Sequence, residues 1–174
     1  WNAYMLLIFN LTCCQFFYDL SFFFLGVAEN AYQLCLTFFS TFGGVSVTLW
    51  TNVISFILYS IVQNLHSFNV YGYFRMFFVS IMIPSLVLAI LNIICYDNTK
   101  QKTILADVYY WIRIVSIMFN IAVHGLISYK LNRMGFDKNS AKLDPVRLLA
   151  SRLKYYPIVQ IITRAGAAWY EAAY

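Results

Sequence analysis

Long apolar runs separated by short polar breaks make up the chain, and within the runs the few polar residues recur at helical spacing. The run over residues 31–66 organises the rest. It holds no acidic or basic residue apart from a terminal histidine, and Gly43-Gly44 lies near its middle. About 35 helical residues reach roughly 50 Å, more than the ~30 Å hydrocarbon core of a bilayer, so such a helix must tilt or protrude. Ser40, Gly44, Thr48, Thr51 and Ser55 share one stripe of it, while Phe, Leu, Ile and Val dominate elsewhere. In lipid, small and polar residues mark the face that meets other helices. This segment is therefore expected to be the central pillar of a membrane bundle.

Four more segments follow the same logic. Residues 1–26 are nearly all apolar, with Thr12, Gln15 and Asp19 on one face that is expected to point inward. The sequon Asn10-Leu11-Thr12 lies inside this run and is discarded as a glycosylation site. Residues 74–95 form a third helix interrupted by Pro84, with a weak stripe of Ser85, Ala89 and Asn92. A polar loop over 96–106 leads to a fourth helix, residues 107–131, striped by Arg113, Ser116, Asn120, His124 and Ser128. After a basic loop, Asp144 and Pro145 suit the cap and first position of a fifth helix over 145–174. Its stripe is Tyr156, Gln160, Arg164, Ala167 and Glu171, and Pro157 is expected to kink it. The expected fold is all-α: a single multi-pass transmembrane bundle of five helices.

Composition agrees: 61% of the 174 residues are hydrophobic, 20% aromatic and 11% charged, against about 25% charged in soluble domains. The net charge of +5 lies mainly in loops, where it reports topology and not a nucleic-acid footprint. Eight Lys and Arg residues fall on the side of the 67–73 turn and the 132–154 loop (Arg75, Lys130, Arg133, Lys138, Lys142, Arg147, Arg152, Lys154). Only Lys100 and Lys102 fall on the other. The Trp1 side and the 132–154 loop are thus expected to be cytoplasmic. The four cysteines show no CxxC spacing and Cys13-Cys14 lie in an apolar run, so neither metal nor cofactor is expected. No HExxH motif, histidine cluster or Ser-His pairing suggests an enzyme. The chain opens and stops inside apolar runs and reads as a fragment of a longer membrane protein.

Several motifs, taken in order, carry a resemblance. Leu49-Trp50-Thr51 in the pillar, Phe17-Tyr18-Asp19 in the first helix and the aromatic-rich stretch Tyr73 to Pro84 come first. Arg152-Leu153-Lys154-Tyr155-Tyr156-Pro157 at the start of the last helix completes the set. Together they resemble the cyclic-AMP-receptor-like branch of the G-protein-coupled receptor superfamily, with this chain covering helices two to six of seven. The acidic-Arg-aromatic triplet of rhodopsin-like receptors is absent after Ser60. The resemblance implies a disulfide between Cys35 and Cys95, tying the third helix to the second outer loop on the oxidising side. It also implies an extracellular small-molecule or peptide ligand, a heterotrimeric G protein as partner and a plasma-membrane location.

Candidate sites follow. Asp19, Arg113, Arg164 and Glu171 are the candidates for ligand contact. Asp19 and Arg164, ionisable groups inside apolar runs, are either ligand or switch contacts or a structural hydrogen-bonded arrangement. Gly43, Gly44, Trp50, Pro84 and Pro157 are expected to pack or bend the core, and His124 to be a packed polar residue. For coupling, Val146, Leu149 and Leu153 give an apolar face beside Arg147, Arg152 and Lys154, with Pro157 as the place to bend. The same basic residues could instead anchor the loop on anionic lipid. A transporter or channel segment, with Asp19, Arg164 and the stripes lining a path, is the alternative function.

Overall fold

A computed structural model describes residues 3–25, 30–63, 70–95 and 99–134. All described secondary structure is helical: α1 (Ala3–Leu25), α2 (Asn30–Gln63), α3 (Val70–Ile94) and α4 (Thr99–Met134). Three stretches are long and apolar enough to cross a membrane: Tyr32–Gln63 in α2, Gly72–Ile94 in α3 and Ile104–Lys130 in α4. The shorter apolar stretch Leu6–Ser21 lies in α1. Large side chains such as Phe23, Ile83, Ile94, Val115 and Met118 are more than half exposed. Such an apolar exterior fits a lipid bilayer. The expected fifth helix, 145–174, lies outside the described residues.

Two boundaries differ from expectation. α3 begins at Val70, and α4 begins at Thr99, inside the stretch read as a loop. Lys100, Gln101 and Lys102 are good helix formers, so a polar extension of the helix costs little where water is available. Pro84 also differs, because α3 runs through it unbroken and it is exposed, not part of the core. Ile81, Ser85 and Ala89 form the buried face of α3, and Pro84 sits off that face.

The chain divides into two compact units, Trp1–Trp50 with Val70–Ile112 and Thr51–Asn69 with Arg113–Tyr174. In the first unit, the N-terminal part of α2 packs against α1, α3 and the start of α4. Leu7, Leu11, Cys14 and Ser21 are the buried face of α1. Cys14 and Tyr18 meet α2 where Gly43 lets the backbones close in: a Cβ on Gly43 would lie 3.0 Å from the Cys14 carbonyl oxygen and from the Tyr18 Cβ and backbone nitrogen. Gly44 is buried beside it. Phe17 of α1 stacks on Phe39 of α2 at 6.0 Å. Farther along α2, Trp50 is 0% exposed and packs on Phe74 and Phe78 of α3, at centroid distances of 6.0 and 6.5 Å. Asn92 donates to the Thr41 hydroxyl at 2.6 Å, and the Tyr109 hydroxyl donates to the Thr41 carbonyl. Thr41 thus ties α2 to both α3 and α4, and α1 also touches α3.

In the second unit the C-terminal part of α2 lies along α4. Leu58 and Val62 pack against Val123 and Ile127, with Tyr59 at the edge. Hydrogen-bonded partners on the two helices are 64 to 68 residues apart throughout this unit, so the helices run parallel in a fixed register.

Because hydrocarbon gives no hydrophobic drive between helices, close packing at small residues has to hold α1. Gly43→Ala is therefore expected to lower stability by about 1–3 kcal/mol, since the new methyl meets backbone that cannot yield. Gly125, with nothing within 4 Å of a built Cβ, is the matched control. Gly125→Ala should leave stability in detergent unchanged or raise it by up to about 1 kcal/mol, the helix-propensity difference.

Candidate functional site

Polar residues of α2 and α4 meet in the second unit, and this cluster is the candidate site. Asn52 is one turn on from Thr48 and one turn before Ser55, so α2 presents Asn52 and Ser55 close together. Ser116 and Asn120, a turn apart, stand opposite on α4. The Asn52 side-chain oxygen accepts from the Ser116 hydroxyl at 2.6 Å and from the Asn120 amide at 2.6 Å. That Asn120 amide also donates to its own helix, at the Ser116 carbonyl 2.7 Å away. Its oxygen accepts from the Ser55 hydroxyl. Both donor positions and the acceptor of Asn120 are thereby used. Asn120, Ser116 and Ser55 are buried, the last fully.

Arg113 lies on α4 one turn before Ser116 and is only 9% exposed. A buried cation within a span is expensive and is retained for function or for a specific partner. At the far end of the unit, Lys130 donates to the Gln63 side chain at 2.8 Å and to the Gln63 carbonyl at 3.4 Å. A cation at the last carbonyl of α2 also suits the negative end of its dipole. His124, a turn after Asn120, is half-buried, and its Nε2 has no hydrogen-bond partner. Ser128 is exposed, so the α4 stripe gives way to the apolar Val123 and Ile127.

Among the described residues the cluster brings together amides and hydroxyls, with the buried Arg113 a turn before Ser116 on α4. Among the described residues no three His, Cys, Asp or Glu side chains gather as a metal site would require.

Other expected site residues lie elsewhere. Asp19 does not point into the bundle: it is exposed on α1 and accepts from the Gln15 amide of its own helix at 2.8 Å. The reason is that Leu7, Leu11, Cys14 and Ser21 occupy the face that meets Gly43, about 100° around the helix from the polar stripe. Thr12 is turned outward with Asp19, and its hydroxyl donates to the Ile8 carbonyl at 2.8 Å. Cys35 and Cys95 are not bonded; all four cysteines are free thiols. Thr41 and Asn92 do bring α2 and α3 together at that end. However, Cys35 is six residues from Thr41, about 120° around α2, and it is exposed. Cys14, buried on α1, faces the fully buried Ser46 hydroxyl without reaching hydrogen-bond geometry. Arg164, Glu171, Pro157 and the coupling residues Val146, Arg147, Leu149, Arg152, Leu153 and Lys154 lie outside the described residues.

Asn52, Thr41 and Tyr109 are bridging residues that stripe-reading missed. Asn52 was detectable in principle, being four residues after Thr48 and so only about 40° from it. Tyr109 and Thr41 carry no such signal, because a tyrosine and a threonine in an aromatic-rich run look like filler.

No protein-family model matches the chain, and no curated protein or solved structure matches it either.

A double-mutant cycle tests the cluster. Asn52→Ala and Asn120→Ala should each destabilise the protein, and the double variant should cost less than the sum. The expected coupling is about 0.6–1.7 kcal/mol, the range for interhelical hydrogen bonds in membranes. Unfolding followed in mixed micelles reads it, and additivity within error would mean that the two amides do not interact.

Proposed function

We propose that the chain is part of a seven-helix G-protein-coupled signalling receptor of the cyclic-AMP-receptor-like kind, and that it is not an enzyme. In this reading the chain supplies helices two to six. A small-molecule or peptide ligand binds from outside the plasma membrane, and a heterotrimeric G protein engages the cytoplasmic face formed by the Trp1 side and residues 132–154. The observation that supports it is the bonding of α2. This helix is held to α1 through Gly43, to α3 through Thr41 and Trp50, and to α4 through Asn52 and Ser55. A receptor of this kind needs one helix that the others move against. It also needs an element with two arrangements for the ligand to bias. The Asn52–Ser55–Ser116–Asn120 cluster supplies candidates for both arrangements, because each amide and hydroxyl can exchange partners if α4 turns or slides on α2.

Arg113 favours a second reading. A buried cation in a span also suits a transporter or channel segment, where it would face a permeating anion. Reconstitution separates the two: a transporter gives substrate flux or current in proteoliposomes without any G protein.

For the receptor reading, Leu149→Ser with Leu153→Ser removes the apolar face beside Arg147 and Lys154. With surface expression and ligand binding retained, agonist-stimulated nucleotide exchange should be largely lost, because a docked helix needs apolar contact. Unchanged exchange would leave these residues as a lipid anchor, which depends on Lys and Arg.

A further inference from the structure

Polar side chains tie the C-terminal part of α2 to α4 at two levels. The first is the Asn52–Ser55–Ser116–Asn120 cluster, largely buried. The second is Lys130, whose ammonium donates to the Gln63 side-chain oxygen at 2.8 Å and to the Gln63 carbonyl at 3.4 Å. From Asn120 to Lys130 is about 15 Å along α4. Between the two levels, Leu58 and Val62 meet Val123 and Ile127. The polar side chains of this interval do not bridge the helices among the described residues. Ser60 donates to the Phe56 carbonyl of its own helix, His124 Nε2 has no partner, and Ser128 and Tyr129 are exposed.

The two ties differ in kind. Breaking the cluster would leave amides and hydroxyls unpaired in apolar surroundings, which is costly. Gln63 and Lys130 are instead the last residues of the apolar stretches Tyr32–Gln63 and Ile104–Lys130, at the edge of the hydrocarbon. Gln63 is exposed, so water can replace either partner there at small cost. The Gln63 amide is itself anchored: it donates to the Tyr59 hydroxyl, and Tyr59 packs on the apolar layer. Lys130 therefore grips a side chain that is braced against the α2–α4 seam. Hydrocarbon adds no hydrophobic drive to keep that layer closed.

We propose that Lys130 and Gln63 form a releasable latch, and that the Asn52–Asn120 cluster is the pivot about which the far end of α4 swings away from α2 when the latch opens. A water-exposed bond pair set against a buried cluster gives the order of events, because local opening begins where bonds reach solvent. The charge of Lys130 matters to the closed state. An ammonium has donors for both Gln63 acceptors and also meets the negative end of the α2 dipole. The proposal does not rest on the receptor reading, and either can fail alone.

The test measures distances between spin labels in the full chain, in phosphatidylcholine nanodiscs without ligand or G protein. Labels attached to p-acetylphenylalanine leave the native cysteines in place. One pair, at Ser60 and Tyr129, reports the latch end, and a second, at Phe56 and Phe119, reports the pivot. Lys130→Met should add a longer-distance population to the first pair and leave the second unchanged. Gln63→Leu, which keeps only the long bond to the carbonyl, should act in the same direction. Lys130→Arg retains charge and donors and should keep the parent distribution. A Lys130→Met distribution identical to the parent's would overturn the proposal. So would equal widening of both pairs, because α2 and α4 would then loosen as a whole, with no pivot.

Discussion

Hydrocarbon leaves a helix nothing to bond with outside the protein, and this constraint shapes the parts of the molecule that the structure describes. A hydroxyl or amide turned to lipid loses its hydrogen bonds to water and gains none. α2 answers by sending its polar side chains to its neighbours. Thr41 serves both α3 and α4, Asn52 and Ser55 serve α4, and Thr48 folds back onto its own Gly44 carbonyl at 2.8 Å. Ser85 of α3 does the same with Ile81 at 2.7 Å. Each is a local solution to one problem, and together they fix which face of each helix is inside.

The same constraint accounts for how apolar packing is used. Trp50 is fully buried against Phe74 and Phe78, yet its indole nitrogen has no hydrogen-bond partner. A buried indole N–H usually finds a partner, so this donor is an exception to the pattern that the hydroxyls and amides follow. Elsewhere the approach of backbones decides. Gly43 admits α1 to contact distance, and Leu58, Val62, Val123 and Ile127 fill the space between α2 and α4 below the polar cluster. Polar bonds set the register of that pair, and apolar side chains complete it.

Much of this was legible in the sequence, for a physical reason. Against a background of Phe, Leu and Ile, a Ser, Thr or Gly at helical spacing stands out, and in lipid it has only one good place to go. Gly44, Thr48, Thr51 and Ser55 on α2, Ser85, Ala89 and Asn92 on α3, and Arg113, Ser116 and Asn120 on α4 all face inward or bond inward. α1 broke the rule because it has two faces of equal period. The small residue that decides between them, Gly43, sits on another helix, so no reading of α1 alone could choose the Leu7–Ser21 side. The Cys35–Cys95 pairing failed for a similar reason. Sharing one end of the bundle fixes a level, whereas a disulfide also needs a direction around each helix. Asn52 was missed because it lies on the flank of the α2 stripe, about 40° from Thr48.

The central claim is that the amides of Asn52 and Asn120 bond across α2 and α4 inside the membrane. Solid-state NMR on protein with isotope-labelled asparagine, reconstituted in bilayers, reads this contact directly. The account predicts magnetisation transfer between the Asn120 side-chain nitrogen and the Asn52 carboxamide carbon, lost in Asn52→Val, with the Asn120 amide protons protected from exchange. Asparagine side chains that show no mutual transfer and exchange freely with water would contradict it.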